Sequence, residues 1–198
     1  MSWRPETLRI LHHPHPALSF ASTPVASIDP EFKRTIAEMF ELMYAAEGIG
    51  LAANQVGIPK RFFVLNLTAD ADEKEEEFVF INPTIRSRRG ADLAEEGCLS
   101  LPGLYGDVRR PSAITVEAYG LDGQPFEMKI DDLPARAVQH EVDHLDGTMF
   151  IDKVSDAVRA EIAPKVEEFE IEHRSRQSAG ELDSDASLTA DLKRMAIA

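Results

Sequence analysis

The run His140-Glu141-Val142-Asp143-His144 has the form H-E-x-x-H. On a helix of about 3.6 residues per turn, side chains four apart lie on nearly the same face. Two imidazoles placed in this way can bind one metal ion, and the glutamate between them can take a proton from a water that the metal activates. The run therefore indicates two ligands and a general base. An amphipathic helix that merely contains two histidines is the alternative.

Helical patterns occur in three parts of the chain. Asp29 and Pro30 are suited to the N-cap and the first turn of a helix, and the glycines at 48 and 50 end the apolar pattern that follows. The pattern over residues 133–145 predicts the helix that carries H-E-x-x-H. Residues 155–172 are also helix-like, although Pro164 should kink or restart that helix.

Short strands are predicted between these helices. Residues 61–67 and 78–81 are β-rich and flank an acidic loop, which suggests a hairpin. Residues 113–119 alternate apolar and polar side chains, and a turn at 121–124 leads to a second strand over 126–130. Strands and helices do not alternate in regular βαβ units. The sequence therefore predicts an α+β fold, with short antiparallel sheets packed around the central H-E-x-x-H helix and a further C-terminal helix.

Composition limits the classes of function. The 198 residues, 43% of them hydrophobic, suffice for one domain, which we assign to residues 1–174. The polar residues 175–198 predict a mobile tail with a short helix over residues 187–196. A net charge of −14 disfavours direct nucleic-acid binding. No apolar run approaches the roughly 20 residues of a membrane helix, and no signal peptide is evident, so we expect a cytoplasmic protein that does not bind membranes.

The single cysteine, Cys98, lies in the segment 95–103, which reads Glu-Glu-Gly-Cys-Leu-Ser-Leu-Pro-Gly. One cysteine excludes an intrachain disulfide and fits a reducing compartment. Its thiolate would be a suitable third ligand beside two imidazoles, and three protein ligands leave a coordination position open for catalysis. A buried structural cysteine in a strand is the alternative.

A third segment, residues 48–55, reads Gly-Ile-Gly-Leu-Ala-Ala-Asn-Gln. Its small residues let the backbone approach a ligand or another segment closely. Gln55 could donate an amide N–H to a developing oxyanion. The alternative is a tight connection between a helix and a strand.

These three segments, in this order, resemble the motifs of peptide deformylase, and the similarity extends over roughly residues 7–155. That family removes the formyl group from the N-terminal formylmethionine of nascent proteins. The resemblance implies one divalent metal ion, natively Fe(II), which zinc, nickel or cobalt can replace. It implies three metal ligands, Cys98, His140 and His144, with Glu141 as the acid and base. Gln55 and the backbone N–H of Leu99 would form the oxyanion hole.

The resemblance also implies how the substrate binds. Ile49 and the aliphatic stem of Arg136 would line the methionine pocket. Arg109 would pair with Glu96 or meet the peptide, and a plain surface arginine is the alternative. Backbone hydrogen bonds to the peptide would come from Gly50, Gly97 and Leu99.

The implied partners are N-formylmethionyl nascent peptides. In this family the last helix can dock on the ribosome through basic residues, but acidic residues outnumber Lys165, Arg174 and Arg176 locally. Two other functions stay open at this point. One is an H-E-x-x-H metallopeptidase, which a cysteine ligand disfavours. The other is an inactive relative that binds formylated or N-terminal peptides without turnover.

Overall fold

Two antiparallel sheets account for the strands of the computed structural model, which describes residues 3–198. The strands are β1 (Gly50–Ala52), β2 (Phe62–Leu65), β3 (Phe78–Arg89), β4 (Asp92–Cys98), β5 (Leu101–Arg110), β6 (Ala113–Tyr119) and β7 (Pro125–Asp131). One sheet has the order β1-β2-β3-β6-β7, and the other pairs β4 with β5. The helices are α1 (Pro30–Ala45), α2 (Asp132–Leu145), α3 (Asp156–Ser178) and α4 (Asp185–Ala196). This architecture confirms the predicted α+β fold.

Both predicted hairpins are present in the five-stranded sheet. Strands β2 and β3 pair antiparallel, with Phe63 opposite Phe80 and the two rings stacked at 4.6 Å between centroids. Strands β6 and β7 pair in register from Ala113 to Tyr119. Strand β3 is longer than predicted because it continues as far as Arg89 to pair with β6.

Helix α2 lies against the inner face of this sheet. Val138, Val142 and Leu145 are buried in one core cluster with Phe63 and Phe80. Since apolar residues three and four apart lie on one helical face, the same spacing that packs α2 on the sheet leaves His140 and His144 on another face. The sheet thus fixes the direction in which the two histidines project.

Helix α1 packs on the opposite face of the same sheet, against β1 and β2. Its N-cap is as predicted, because the side chain of Asp29 accepts a hydrogen bond of 2.8 Å from the backbone N–H of Phe32. Phe32, Ile36 and Met43 are buried in a second cluster, which includes residues of β1 and β2. This packing fixes the segment between α1 and β2, which carries Gln55.

The C-terminal segment contains the short helix predicted over residues 187–196 and is otherwise more helical than predicted. Helix α3 runs through Pro164 as one element, and residues 185–196 form α4, so most of the predicted mobile tail is helical. Leu192 is 3% exposed, and the carbonyl of Ala196 accepts hydrogen bonds from Thr23 and Lys60. A few apolar residues and polar contacts to the N-terminal arm hold this polar segment against the body. No helix within residues 3–198 is both long and apolar enough to cross a bilayer.

Candidate active site

The three predicted ligands meet where α2 faces the end of β4. The rings of His140 and His144 lie 4.9 Å apart between centroids. Cys98 is the last residue of β4, and its Sγ lies 3.2 Å from Nε2 of His144. One ligand atom from each of Cys98, His140 and His144 lies within 4.8 Å of the other two.

This group of side chains fits a bound divalent metal ion. A thiolate and two imidazoles are donors that zinc and other first-row transition metals accept, and three protein ligands are typical of catalytic sites. Oε2 of Glu141, beside the group, is buried without a hydrogen-bond partner among residues 3–198. Such an orphaned atom is expected where a metal ion or its water belongs.

A buried carboxylate orients one of the ligands. Nδ1 of His140 lies 3.0 Å from Oε2 of Glu96, so its other ring nitrogen is the one available for a metal. Burial would raise the pKa of Glu96, but hydrogen bonds from Arg110 and His140 outweigh it and lower that pKa to about 2. Burial would likewise lower the pKa of His140, yet Cys98 and Glu96 raise it to about 10 in the metal-free protein. Glu96 therefore stays ionised beside this ligand.

Arg110, rather than Arg109, forms the predicted ion pair with Glu96. Arg110 donates to both carboxylate oxygens of Glu96, with Nη2 2.8 Å from Oε2, and also contacts Asp143 at 2.6 Å. Arg109 is exposed and does not line the cavity described below. Side chains alternate along β5, so Arg110 shares the buried face of Val108 while Arg109 points away. That alternation was the sequence signal for Arg110, which our prediction missed.

Arg136 is a second cation on Glu96. Its Nη1 lies 2.7 Å from Oε1 of Glu96 and 2.9 Å from the carbonyl oxygen of Val108. The residue also lines the active-site cavity. The guanidinium of Arg136 thus connects α2 to the β4–β5 ribbon. The residue lies at the cavity for which the sequence predicted a role in methionine binding.

Glu141 is nearly inaccessible to solvent, with 4% of its surface exposed. Burial raises its pKa to about 7, the largest effect on this group. The carboxyl group is pressed against Gly50, because a Cβ added there would lie 2.5 Å from Oε1. A glycine at this position therefore makes room for the carboxyl group. A carboxyl that titrates near neutral pH can both accept and return a proton.

Gln55 is held with its amide N–H directed at the cysteine. Its Oε1 accepts a hydrogen bond of 2.8 Å from the backbone N–H of Ala52. Nε2 then lies 3.4 Å from Sγ of Cys98 and 3.2 Å from Oγ of Ser100. The first bond fixes which end of the amide is a donor toward the metal ligands.

A cavity of about 690 Å³ opens in front of this group. The side chains of Gln55, Cys98, His140 and Glu141 line it. So do most of the residues predicted to bind substrate, namely Ile49, Gly50, Gly97, Leu99 and Arg136. Exposed Tyr105 and Leu133 stand at the same cavity. The three sequence motifs therefore form one concave site.

Comparison with known proteins identifies the family. Residues 7–160 match the family model described as polypeptide deformylase. Peptide deformylase of Rhodopirellula baltica is 44% identical over 181 residues, which is 91% of this chain and 90% of that protein.

Solved structures agree with these sequence matches. A Plasmodium falciparum peptide deformylase has a TM-score of 0.82 at 37% identity and covers 84% of this chain and 98% of its own. One from Legionella pneumophila has a TM-score of 0.77 at 37% identity, with 84% and 97% covered. These matches do not favour a metallopeptidase or an inactive peptide-binding protein. The chain belongs to the polypeptide deformylase family, the metal-dependent hydrolases that remove the formyl group from the N-terminus of formylated polypeptides.

Proposed function

We propose that Cys98, His140 and His144 bind one divalent metal ion, natively Fe(II), and that zinc, nickel or cobalt can take its place. The convergence of the three ligand atoms within 4.8 Å is the observation that carries this proposal. When bound, such an ion lowers the pKa of water and polarises a carbonyl oxygen. Glu96, fixed by Arg110 and Arg136, keeps His140 oriented for binding.

Glu141 is the proposed acid and base. Its carboxyl group accepts a proton from the attacking water, whose oxygen bonds to the formyl carbon. The same group then returns that proton to the leaving amine, and the products are formate and a free N-terminus. A pKa near 7 supports both steps, because the carboxyl group can be populated in either form at neutral pH.

Gln55 and the backbone N–H of Leu99 are the proposed donors to the oxyanion that develops on the formyl oxygen. Support comes from the hydrogen bond between Gln55 and Ala52, which directs the amide N–H of Gln55 into the site. Because the donor is fixed before substrate binds, it pays no reorganisation cost in the transition state.

The nascent peptide would lie along the cavity. The proposed backbone partners are Gly50, Gly97 and Leu99, while Ile49 and the stem of Arg136 would contact the methionine side chain. All five line the cavity. Formylated chains emerge where translation occurs, so we propose a cytoplasmic enzyme. Docking on the ribosome stays a prediction.

One experiment tests the proposed site. The protein is prepared anaerobically with Fe(II) and given formyl-Met-Ala-Ser, and formate and free amine are measured together. We expect formate release that falls by about 10²- to 10⁴-fold in Glu141→Ala. Equal rates in the two proteins would remove Glu141 from its role. Internal cleavage of a longer peptide without formate would instead indicate a peptidase.

A further inference from the structure

The two histidine ligands differ in what holds their second ring nitrogen. Nδ1 of His140 forms a hydrogen bond of 3.0 Å with Oε2 of Glu96. Nδ1 of His144 is buried and has no hydrogen-bond partner among residues 3–198. A histidine that binds metal through one nitrogen almost always donates the other N–H to an acceptor, and a missing acceptor is costly in a buried site. His144 therefore needs an acceptor.

Asn54 is a buried polar residue that forms a hydrogen bond with the backbone of His144. It is 0% exposed, and its Nδ2 donates to the backbone carbonyl of His144. This bond fixes the orientation of the amide, because the reverse orientation would bring two oxygens together. Oδ1 of Asn54, on the same carboxamide carbon, is itself buried without a partner. One unpaired acceptor and one unpaired nitrogen thus belong to two residues that a hydrogen bond from the Asn54 side chain to the His144 backbone already joins.

Other unpaired buried atoms fit His144 less well. Within residues 3–198 they are His13 Nε2, Ser22 Oγ and Glu141 Oε2. The backbone N–H of Ser22 reaches α2 at the carbonyl of Leu145, so its hydroxyl is the nearest rival. The carboxyl group of Glu141 is committed to the proton that moves in the reaction.

We infer that Asn54 is a positioning residue for the metal ligand His144, with one buried water bridging Oδ1 of the amide and the Nδ1–H of the imidazole. The amide would then hold His144 at two points, its backbone carbonyl and its ring. A single water that bridges two otherwise unpaired buried groups is common in folded proteins. This role rests on the metal binding proposed above.

Imidazole NMR tests the contact directly. The protein is labelled with ¹⁵N-histidine and loaded with Zn(II), and the Nδ1–H signals of His140 and His144 are compared in wild type, Asn54→Ala and Ser22→Ala. We expect Asn54→Ala to shift the His144 signal and speed its exchange with water, while the His140 signal stays in place. An unchanged His144 signal in Asn54→Ala, or an equal change in Ser22→Ala, would overturn the inference.

Metal affinity provides the second readout. Loss of an outer partner of a metal-bound histidine typically weakens metal binding about 10- to 100-fold, and we expect that range for Asn54→Ala in a zinc competition assay. Asn66→Ala is the matched control, because Asn66 is also fully buried and hydrogen-bonded but contacts Tyr44 and a surface loop. Equal affinities in wild type and Asn54→Ala, or equal losses in both variants, would contradict the role. Failure of wild type to bind zinc would instead refute the proposed metal site.

Discussion

The six histidines of the chain fall into two regions that use them differently. His140 and His144 lie on α2 and converge with Cys98. The remaining four line a cavity of about 110 Å³ between the N-terminal arm, helix α3 and the loop that follows α3; they are His12, His13, His15 and His173. We call these four residues the distal cluster. The ring centroids of its His15 and His173 are 6.3 Å apart. Across residues 3–198, only the Cys98 group brings three ligand atoms within 4.8 Å of one another.

The difference indicates that the spacing and charge of the side chains, rather than the number of imidazoles, favour metal binding at the Cys98 group. A helix sets His140 and His144 four residues apart, and a strand end brings the thiolate to them. Three of the distal histidines lie in the irregular N-terminal arm and the fourth lies on α3, so no single element brings their nitrogens together. Burial lowers the pKa of His12, His13 and His15, which keeps them neutral at pH 7.

After Glu141→Ala, Gln55→Ala should have the largest effect on the rate among changes that leave Cys98, His140 and His144 in place. Removal of one oxyanion donor typically lowers the rate about 10²- to 10³-fold, and we expect kcat for formyl-Met-Ala-Ser to fall by that amount in the metal-loaded protein. Ser100→Ala removes the hydroxyl that Gln55 also contacts and is the matched control. A near-wild-type rate in Gln55→Ala, or the same loss in Ser100→Ala, would remove Gln55 from this role.

Two carboxylate-to-amide changes compare the regions directly. Glu96 contacts His140 at 3.0 Å, and Asp185 contacts His173 at 2.9 Å. We expect Glu96→Gln to weaken metal binding about 10- to 100-fold, because it disturbs the orientation of a ligand. Asp185→Asn should leave metal affinity unchanged. Competition with a metal-sensitive dye measures the metal affinity of both variants, and circular dichroism verifies that they fold. Equal losses of affinity in the two variants would refute the distinction between the two histidine regions.

His15 gives a smaller effect, on stability and its pH dependence. Burial is the main reason that its pKa falls from 6.5 to about 4, and nearby His173 adds to the shift. Protonation therefore favours the unfolded chain, so the stability contributed by neutral His15 is complete above pH 6.5 and is lost as the pH falls toward 4. One such group changes the free energy of unfolding by at most about 1.4 kcal/mol per pH unit.

His15→Asn should reduce this slope between pH 6.5 and 4, because asparagine does not titrate but can still accept the hydrogen bond from the backbone N–H of Ala17. Urea unfolding of wild type and variant at several pH values measures how steeply the free energy of unfolding changes with pH. Identical slopes would show that His15 is not buried in its neutral form.

The sequence predicted the parts of the site that local periodicity controls. The helix that carries H-E-x-x-H and the two hairpins depend on patterns within a few residues, and the structure confirms these elements. The β4–β5 ribbon was missed, because glycine and arginine occupy buried positions such as Gly106 and Arg110, where a strand pattern normally shows apolar residues. Their burial depends on partners far along the chain, such as Glu96, Asp143 and α3.

The C-terminal segment was harder to predict for a related reason. Its composition is polar, and composition alone suggested a mobile tail. Its helices are held by sparse contacts to the arm, including His173 with Asp185 and the burial of Leu192, which no local pattern reveals. No sequence pattern points to Asn54 either, because its proposed role depends on the unpaired nitrogen of His144.

Titration with cobalt tests most directly whether the metal binds at Cys98 and not at the distal histidines. Cobalt(II) bound to a thiolate gives a charge-transfer band in the near ultraviolet, which reports the sulfur ligand. The structure predicts one tightly bound cobalt per chain with this band, and loss of both in Cys98→Ala. A Cys98→Ala protein that still binds one cobalt tightly, or a wild type that binds cobalt without the thiolate band, would contradict it.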